Sequence, residues 1–267
     1  MSQGKPVQDP LQPLRRFTMA RIGLGHAGVS VPTAAQLAFQ LAHARARDAV
    51  RQTLDAARLQ RMIEQALPSP PPVLRLHSAA ANRDVYLHRP DLGRQLDEPS
   101  RLALQSMDRE EDAYDLAIVI ADGLSALAIE QNAAPFLQAL QQCIEPEEWS
   151  LAPIAIVEQA RVAIGDEVGA VLGARAVVVL IGERPGLSSP DSMGLYLTWQ
   201  PRVGLTDESR NCISNVRPAG MRYPDAAVKL HYLLSEARKR QLTGIHLKDE
   251  TSGNADLTGS GGDGFLL

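Results

Sequence analysis

Aromatic side chains make up only 4% of the 267 residues, so any core must be built mainly from Ala, Leu, Val and Ile. There are two cysteines, Cys143 and Cys212. They cannot form a disulfide framework and read as free thiols of a reducing compartment. Basic residues hold no excess: the net charge is −4, which argues against nucleic acid as a partner. No run of about 18 apolar residues occurs, so no transmembrane helix is expected. The opening MSQGKPVQDPLQPL lacks the apolar centre of a secretory signal, which makes a cytoplasmic protein the default.

Signatures of catalysis are missing as well. None of the six histidines stands three or four residues from another, and no cysteine lies near them at ligand spacing, so no metal site built from protein ligands is expected. There is no G-x-S-x-G nucleophile elbow, and no catalytic residue is assigned. Gly23-Leu24-Gly25-His26-Ala27-Gly28 has the letters of a dinucleotide fingerprint. That motif needs a buried strand before it, and Arg15 to Ile22 is not one. A tight turn is the favoured reading.

What is present divides the chain. Residues 1–13 carry three prolines and read as a disordered leader. A helical region spans 14–67. Thr33 and Gln36 have the spacing of a capping box. Leu37, Leu41 and Ala44 then recur at helical intervals, with Arg45, Arg47 and Arg51 on the polar faces. A second helix runs from Leu54 to Leu67 and ends at the Pro68–Pro72 linker, where prolines offer no amide donors.

From 73 to 250 the pattern changes. Asp84–Leu87 reads as a short strand, and Arg89–Leu104 leads into a helix. Buried strands are expected at Leu116–Ala121, Ile154–Val157 and Ala176–Ile181, with another at Gly194–Thr198. Helices are expected at Leu124–Cys143 and Val168–Leu172. In the latter, Asp166 and Glu167 suit the positive end and Gly173 the stop. A last helix begins near Pro224, presents Ala227, Leu230, Leu234 and Ala237 on one face, and stops by Gly244. Alternating strand and helix predicts an α/β fold: a parallel sheet flanked by helices, preceded by the helical region. Residues 251–267, rich in Gly, Ser and Asp, read as a flexible tail.

In open α/β sheets, ligands bind beyond the carboxyl ends of the strands. The loop GERPGLSSPDSMG after Ala176–Ile181 is therefore the first place to look. Glu183, one glycine past the strand, can accept hydrogen bonds from a ligand; the alternative is an ion pair with Arg184 or Arg202. Asp122 and Ser125 follow Leu116–Ala121. They either face a ligand crevice or serve the next helix, with Asp122 as its cap. Cys212 would, by residue type alone, be a small core hydrophobe.

The segments VVLIGERPGLSSPDSMGLYLTWQPRVG and DESRNCISNVRPAG resemble the small subunit of ethanolamine ammonia-lyase, an adenosylcobalamin-dependent enzyme family. So do RIGLGHAGVSVPTAAQLAFQLAHARARDAV, YLHRPDLGRQL, VIADGLSALAI and ARVAIGDEVGAVLGA, in order, from about residue 14 to 249. The resemblance implies a Rossmann-like cobalamin-binding domain and a large-subunit partner, a TIM barrel that holds ethanolamine and the adenosyl side of the cofactor. It implies cofactor contacts at Val162, Glu183 and Cys212. It also leaves an interface role open for the segment holding Arg21, Gly25 and Gly28. No Asp-x-His-x-x-Gly occurs. This agrees with a base-on cofactor in a family whose protein supplies no cobalt ligand. Residence in a bacterial microcompartment is a further implication. The competing reading is a stand-alone nicotinamide-dependent oxidoreductase. It needs a glycine fingerprint after Leu116–Ala121, where Asp122-Gly123-Leu124-Ser125 stands instead.

Overall fold

The computed structural model describes residues 9–107, 114–147 and 149–250. The tail expected at 251–267, and residues 1–8 of the expected leader, lie outside them. The elements in chain order are α1 (Thr33–Arg51), α2 (Ala56–Ala66), β1 (Val73–His77), α3 (Arg83–His88), α4 (Glu98–Gln105), β2 (Tyr114–Ala121), α5 (Ala126–Ile144), β3 (Ile154–Glu158), α6 (Ile164–Leu172), β4 (Ala174–Gly182), β5 (Met193–Trp199), β6 (Arg210–Val216) and α7 (Tyr223–Arg240). Short 3₁₀ turns fall between them, the first at Gln12–Arg16. No helix among the described residues is long and apolar enough to cross a membrane.

The six strands form one sheet in the order β1-β3-β2-β4-β5-β6. β1, β3, β2 and β4 are parallel. β5 and β6 are antiparallel to their neighbours, so the sheet is mixed and the expectation of an all-parallel sheet is corrected. The reason lies in the connections. A parallel return needs a crossover of a dozen or more residues, usually a helix. Only residues 183–192 join β4 to β5, and only 200–209 join β5 to β6.

Strand alternation splits the core into two faces. On the first, Ile118, Ile120, Val178, Leu180, Leu195 and Ile213 pack with α2, α5 and α7. All four residues expected to line α7, namely Ala227, Leu230, Leu234 and Ala237, are buried there. On the second face, Ala117, Val119, Val177, Val179 and Ile181 pack beneath α6 and Leu104 of α4. Helix α6 seats closely because Gly165 has no side chain: a Cβ there would come 2.3 Å from Val179 Cγ2. Gly173 ends the helix at φ 66°, a left-handed conformation glycine adopts without strain.

Several expectations are corrected. Asp84–Leu87 is helical, within α3, because Asn82 caps the first turn by accepting from the Val85 amide. The capping box at Thr33 is not formed: Pro32 holds the N-cap position without a side-chain bond. Leu37 and Leu41 of α1 are exposed, and the helix buries Ala46 and Ala49 instead. Helix α7 stops at Gln241, in the left-handed region, ahead of Gly244.

Candidate cofactor site

Helices cover the first face of the sheet as far as β6, whereas on the second face α6 lies over β4. This leaves Tyr196 half-buried and Cys212 and Ser214 exposed on β5 and β6. The register sets Tyr196 directly opposite Cys212 and Thr198 opposite Arg210. Cys212 is therefore a strand residue on an open face, and the reading of it as a core hydrophobe is corrected.

Glu183 closes the upper end of this face. Its carboxylate accepts from Ser192 Oγ, from Ser214 Oγ at 2.5 Å and from the Asn215 amide at 3.3 Å. No ion pair joins it to Arg184 or Arg202 among the described residues. A carboxylate offers about four acceptor positions, so one remains for a ligand donor. Gly194 lies beneath it. A Cβ there would approach Glu183 Oε1 to 3.0 Å and Tyr196 Cε2 to 3.2 Å. The missing side chain keeps this part of the wall flat.

Although Cys212 is exposed as a residue, its thiol is partly desolvated; that, and then the Glu183 charge, hold it above its ordinary pKa, against the opposing effect of Tyr196. Burial also raises Tyr196, reinforced by its contact with Cys212. Both groups stay neutral near pH 7. They can donate hydrogen bonds or pack against a ligand, and Cys212 is not poised as a nucleophile.

Val162 is half-buried and lines a cleft of about 590 Å³ between the first turn of α6 and residues 203–207. Arg210 gives that turn a buried anchor. Its guanidinium donates to both Asp166 carboxylate oxygens, at 2.6 and 2.8 Å, to Thr198 Oγ1 at 3.1 Å and to the Leu205 carbonyl at 3.1 Å. Asp166 lies four residues after Val162, and Arg210 two before Cys212. The structure thus brings Glu183 and Cys212 together around Tyr196, and ties Val162 to them through this ion pair.

Asp122 and Ser125 do not face the open wall. Ser125 caps α5, accepting from the Ala128 amide, so the expectation of Asp122 as cap is corrected. Asp122 is fully buried, paired with Arg83 at 3.1 Å and accepting from the Ala160 amide at 3.0 Å. Burial pushes its pKa up to about 6, against the opposing effects of Arg83 and the amide. The glycine-rich segment at Gly23 forms a turn, with an isolated bridge between Ala27 and Ser30. Among the described residues, no three His, Cys, Asp or Glu side chains group to hold a metal ion.

Tyr196, Gly194, Ser192, Ser214 and the Asp166–Arg210 pair escaped the sequence reading. For Gly194 and Tyr196 the signal was the alternation in Gly194-Leu195-Tyr196-Leu197-Thr198, which sets glycine, tyrosine and threonine on one face; nothing local marked Ser214 or the Asp166–Arg210 pair.

The family model for "Ethanolamine ammonia-lyase light chain (EutC)" matches residues 8–248. A protein of Azotobacter vinelandii named "Ethanolamine ammonia-lyase small subunit" is 55% identical, covering 100% of this chain and 99% of its own length. One of the same name from Ralstonia nicotianae is 56% identical, covering 98% and 95%. A third, from Pseudomonas fluorescens, is 55% identical, covering 92% and 90%. These matches favour the lyase reading over the oxidoreductase. With so nearly complete an overlap, the chain belongs to the ethanolamine ammonia-lyase light chain family.

Proposed function

We propose that this chain, with a large subunit, encloses adenosylcobalamin for the deamination of ethanolamine to acetaldehyde and ammonia. In this reading residues 73–250 form the Rossmann-like cofactor-binding unit, behind a helical region at 14–67. The large subunit is a TIM barrel holding ethanolamine and the adenosyl side of the cofactor. The complex works in the cytoplasm or in a microcompartment.

The open second face of β5 and β6 carries the reading. A corrin is broad and flat, and its rim bears amide groups. A wall floored by Gly194, faced by Tyr196 and Cys212 and topped by an acceptor at Glu183 fits such a group. Val162 borders the same wall across α6. When bound, the cofactor supplies the radical chemistry. The residues here bind it, orient it and exclude water from its lower side. The cofactor keeps its own base on cobalt, in line with the absence of Asp-x-His-x-x-Gly from the sequence.

The test is Glu183→Ala, with exposed Glu64→Ala on α2 as control. Losing an acceptor to the cofactor should cost on the order of 1–3 kcal/mol, or roughly tenfold to a hundredfold in affinity. The assembled complex is titrated with adenosylcobalamin while corrin absorbance and ammonia release are followed. Turnover at saturating cofactor should change little. Glu183→Ala behaving like the control, or losing turnover at unchanged affinity, would remove Glu183 from the site. Turnover of ethanolamine by this chain without a partner would overturn the whole assignment.

A further inference from the structure

β6 breaks its alternation beside Glu183. Its register against β5 pairs Leu195 with Ile213 but Met193 with Val216. One residue of β5, Gly194, therefore faces two of β6, Ser214 and Asn215. That is a β-bulge, in which an extra residue bends one strand and re-aims its side chains. The core records the same step. Ile213 and Val216, three apart, are both buried, whereas an unbroken strand buries residues two apart.

Asn215 makes the bulge. Its φ is 61°, in the left-handed region, and no other residue of β6 has a positive φ. Glycine adopts this region freely and asparagine tolerates it, but a β-branched side chain does not. The surrounding chain enforces the conformation. The Asn215 carbonyl accepts from the Met221 amide at 2.8 Å. The turn closes tightly over it: a Cβ at Gly220 would come 2.3 Å from that same carbonyl oxygen. Asn215 Oδ1 accepts from Arg217 Nε at 2.8 Å, and Arg217 pairs with Asp191 at 3.3 Å. Asn215 is thereby tied to the loop that opens with Glu183. Residues held in such a conformation by their neighbours cluster at functional sites.

The bulge brings two consecutive residues to one acceptor. An extra residue stands outside the ladder, which frees the Asn215 amide for the Glu183 carboxylate at 3.3 Å, beside Ser214 Oγ at 2.5 Å. Ser192 Oγ is the third donor. Held from three directions, the carboxylate cannot turn without losing a bond, so its remaining acceptor position is set before a ligand arrives. We propose that Asn215 is a positioning residue, whose left-handed conformation fixes the Glu183 carboxylate for the cofactor. The inference rests on the reading of Glu183 as a cofactor contact, and it requires no contact between Asn215 and the cofactor.

The test is a double-mutant cycle on the assembled complex, with adenosylcobalamin affinity read from corrin absorbance. Asn215→Val should weaken binding about tenfold, because valine resists the left-handed region. Turnover at saturating cofactor should change little. Asn215→Gly keeps the conformation without the side chain and should bind within about threefold of wild type. In the Glu183→Ala background, Asn215→Val should have no further effect, since it acts through that carboxylate alone. Where Asn215→Val prevents assembly, Asn215→Ala takes its place, with a loss of about fivefold. Three results overturn the proposal while leaving Glu183 in the site: a loss that persists in the Glu183→Ala background, an equal loss in Asn215→Gly, or no loss although Glu183→Ala weakens binding. If Glu183→Ala binds as tightly as wild type, the cofactor reading of Glu183 fails and the proposal falls with it.

Discussion

Arg210→Met should be among the most damaging single substitutions in this chain. Arg210 and Asp166 side chains are each only 2% exposed, and the pair is bidentate. Removing the arginine leaves a buried carboxylate with no counter-charge, and also strands Thr198 Oγ1 and the Leu205 carbonyl. Breaking such a pair from one side costs about 3–5 kcal/mol. Replacing both partners by apolar residues is far cheaper, because no charge is then left behind. The double variant Arg210→Met with Asp166→Ala should therefore lie within about 2 kcal/mol of wild type, a coupling of several kcal/mol. The exposed Arg89–Asp91 pair, 60% and 55% exposed, is the internal control. Solvent screens it, so its coupling should be far smaller than that of the buried pair.

The assay is urea unfolding near pH 7, followed by the fluorescence of Trp149 and Trp199 and by far-ultraviolet circular dichroism. Coincident transitions are required before free energies are compared. A coupling below about 1 kcal/mol for the buried pair, or a double variant worse than either single one, would refute the reasoning. Helix α6 would then not be tied electrostatically to β6, and Val162 and Cys212 would need some other link.

Gly194→Ala should leave the fold intact but push Glu183 and Tyr196 by a few tenths of an ångström, since the new Cβ would sit 3.0 and 3.2 Å from them. Adenosylcobalamin affinity should fall severalfold with little change in thermal midpoint; unchanged affinity would remove Gly194 from the wall. Asp122 gives a pH signature. Its folded pKa, about 6, lies above the ordinary 3.8, so its contribution is full below about pH 4 and is lost as pH rises through 6. The stability of wild type relative to Asp122→Asn should therefore fall by at most about 3 kcal/mol over that interval. A gap that widens with rising pH would show the shift has the opposite sign. Asn82→Ala should destabilise α3 by about 1 kcal/mol, through loss of the cap to the Val85 amide. An unchanged urea midpoint would show that this cap adds nothing.

The legible part of the fold was the part where burial imposes a pattern. β2, β3 and β4 are covered on both faces, so they appear as unbroken apolar runs. Helix α7 has one buried face, so Ala227, Leu230, Leu234 and Ala237 repeat at helical spacing. β6 carries no such pattern. It is an edge strand that exposes Cys212, Ser214 and Asn215 and uses Arg210 and Asn211 as hydrogen-bonded polar anchors, so it has the composition of a loop. Helix α1 failed for a related reason. Its stripe of Leu37 and Leu41 was real, but periodicity identifies a face without saying what covers it.

The same limit explains the site. Hydrophobic alternation carries no strand direction, so nothing in Gly194–Thr198 marked β5 as antiparallel. Direction is what leaves the wall uncovered. In the parallel part of the sheet a ligand can meet the chain only beyond the strand ends, which is where Glu183 and Val162 stand. Once β5 and β6 return without a helix, their second face stays uncovered, and residues in mid-strand, Tyr196 and Cys212, become accessible. The site therefore bends from the edge of the sheet onto its face. One missing crossover after β4 both makes the sheet mixed and opens the surface on which Glu183 and Cys212 meet.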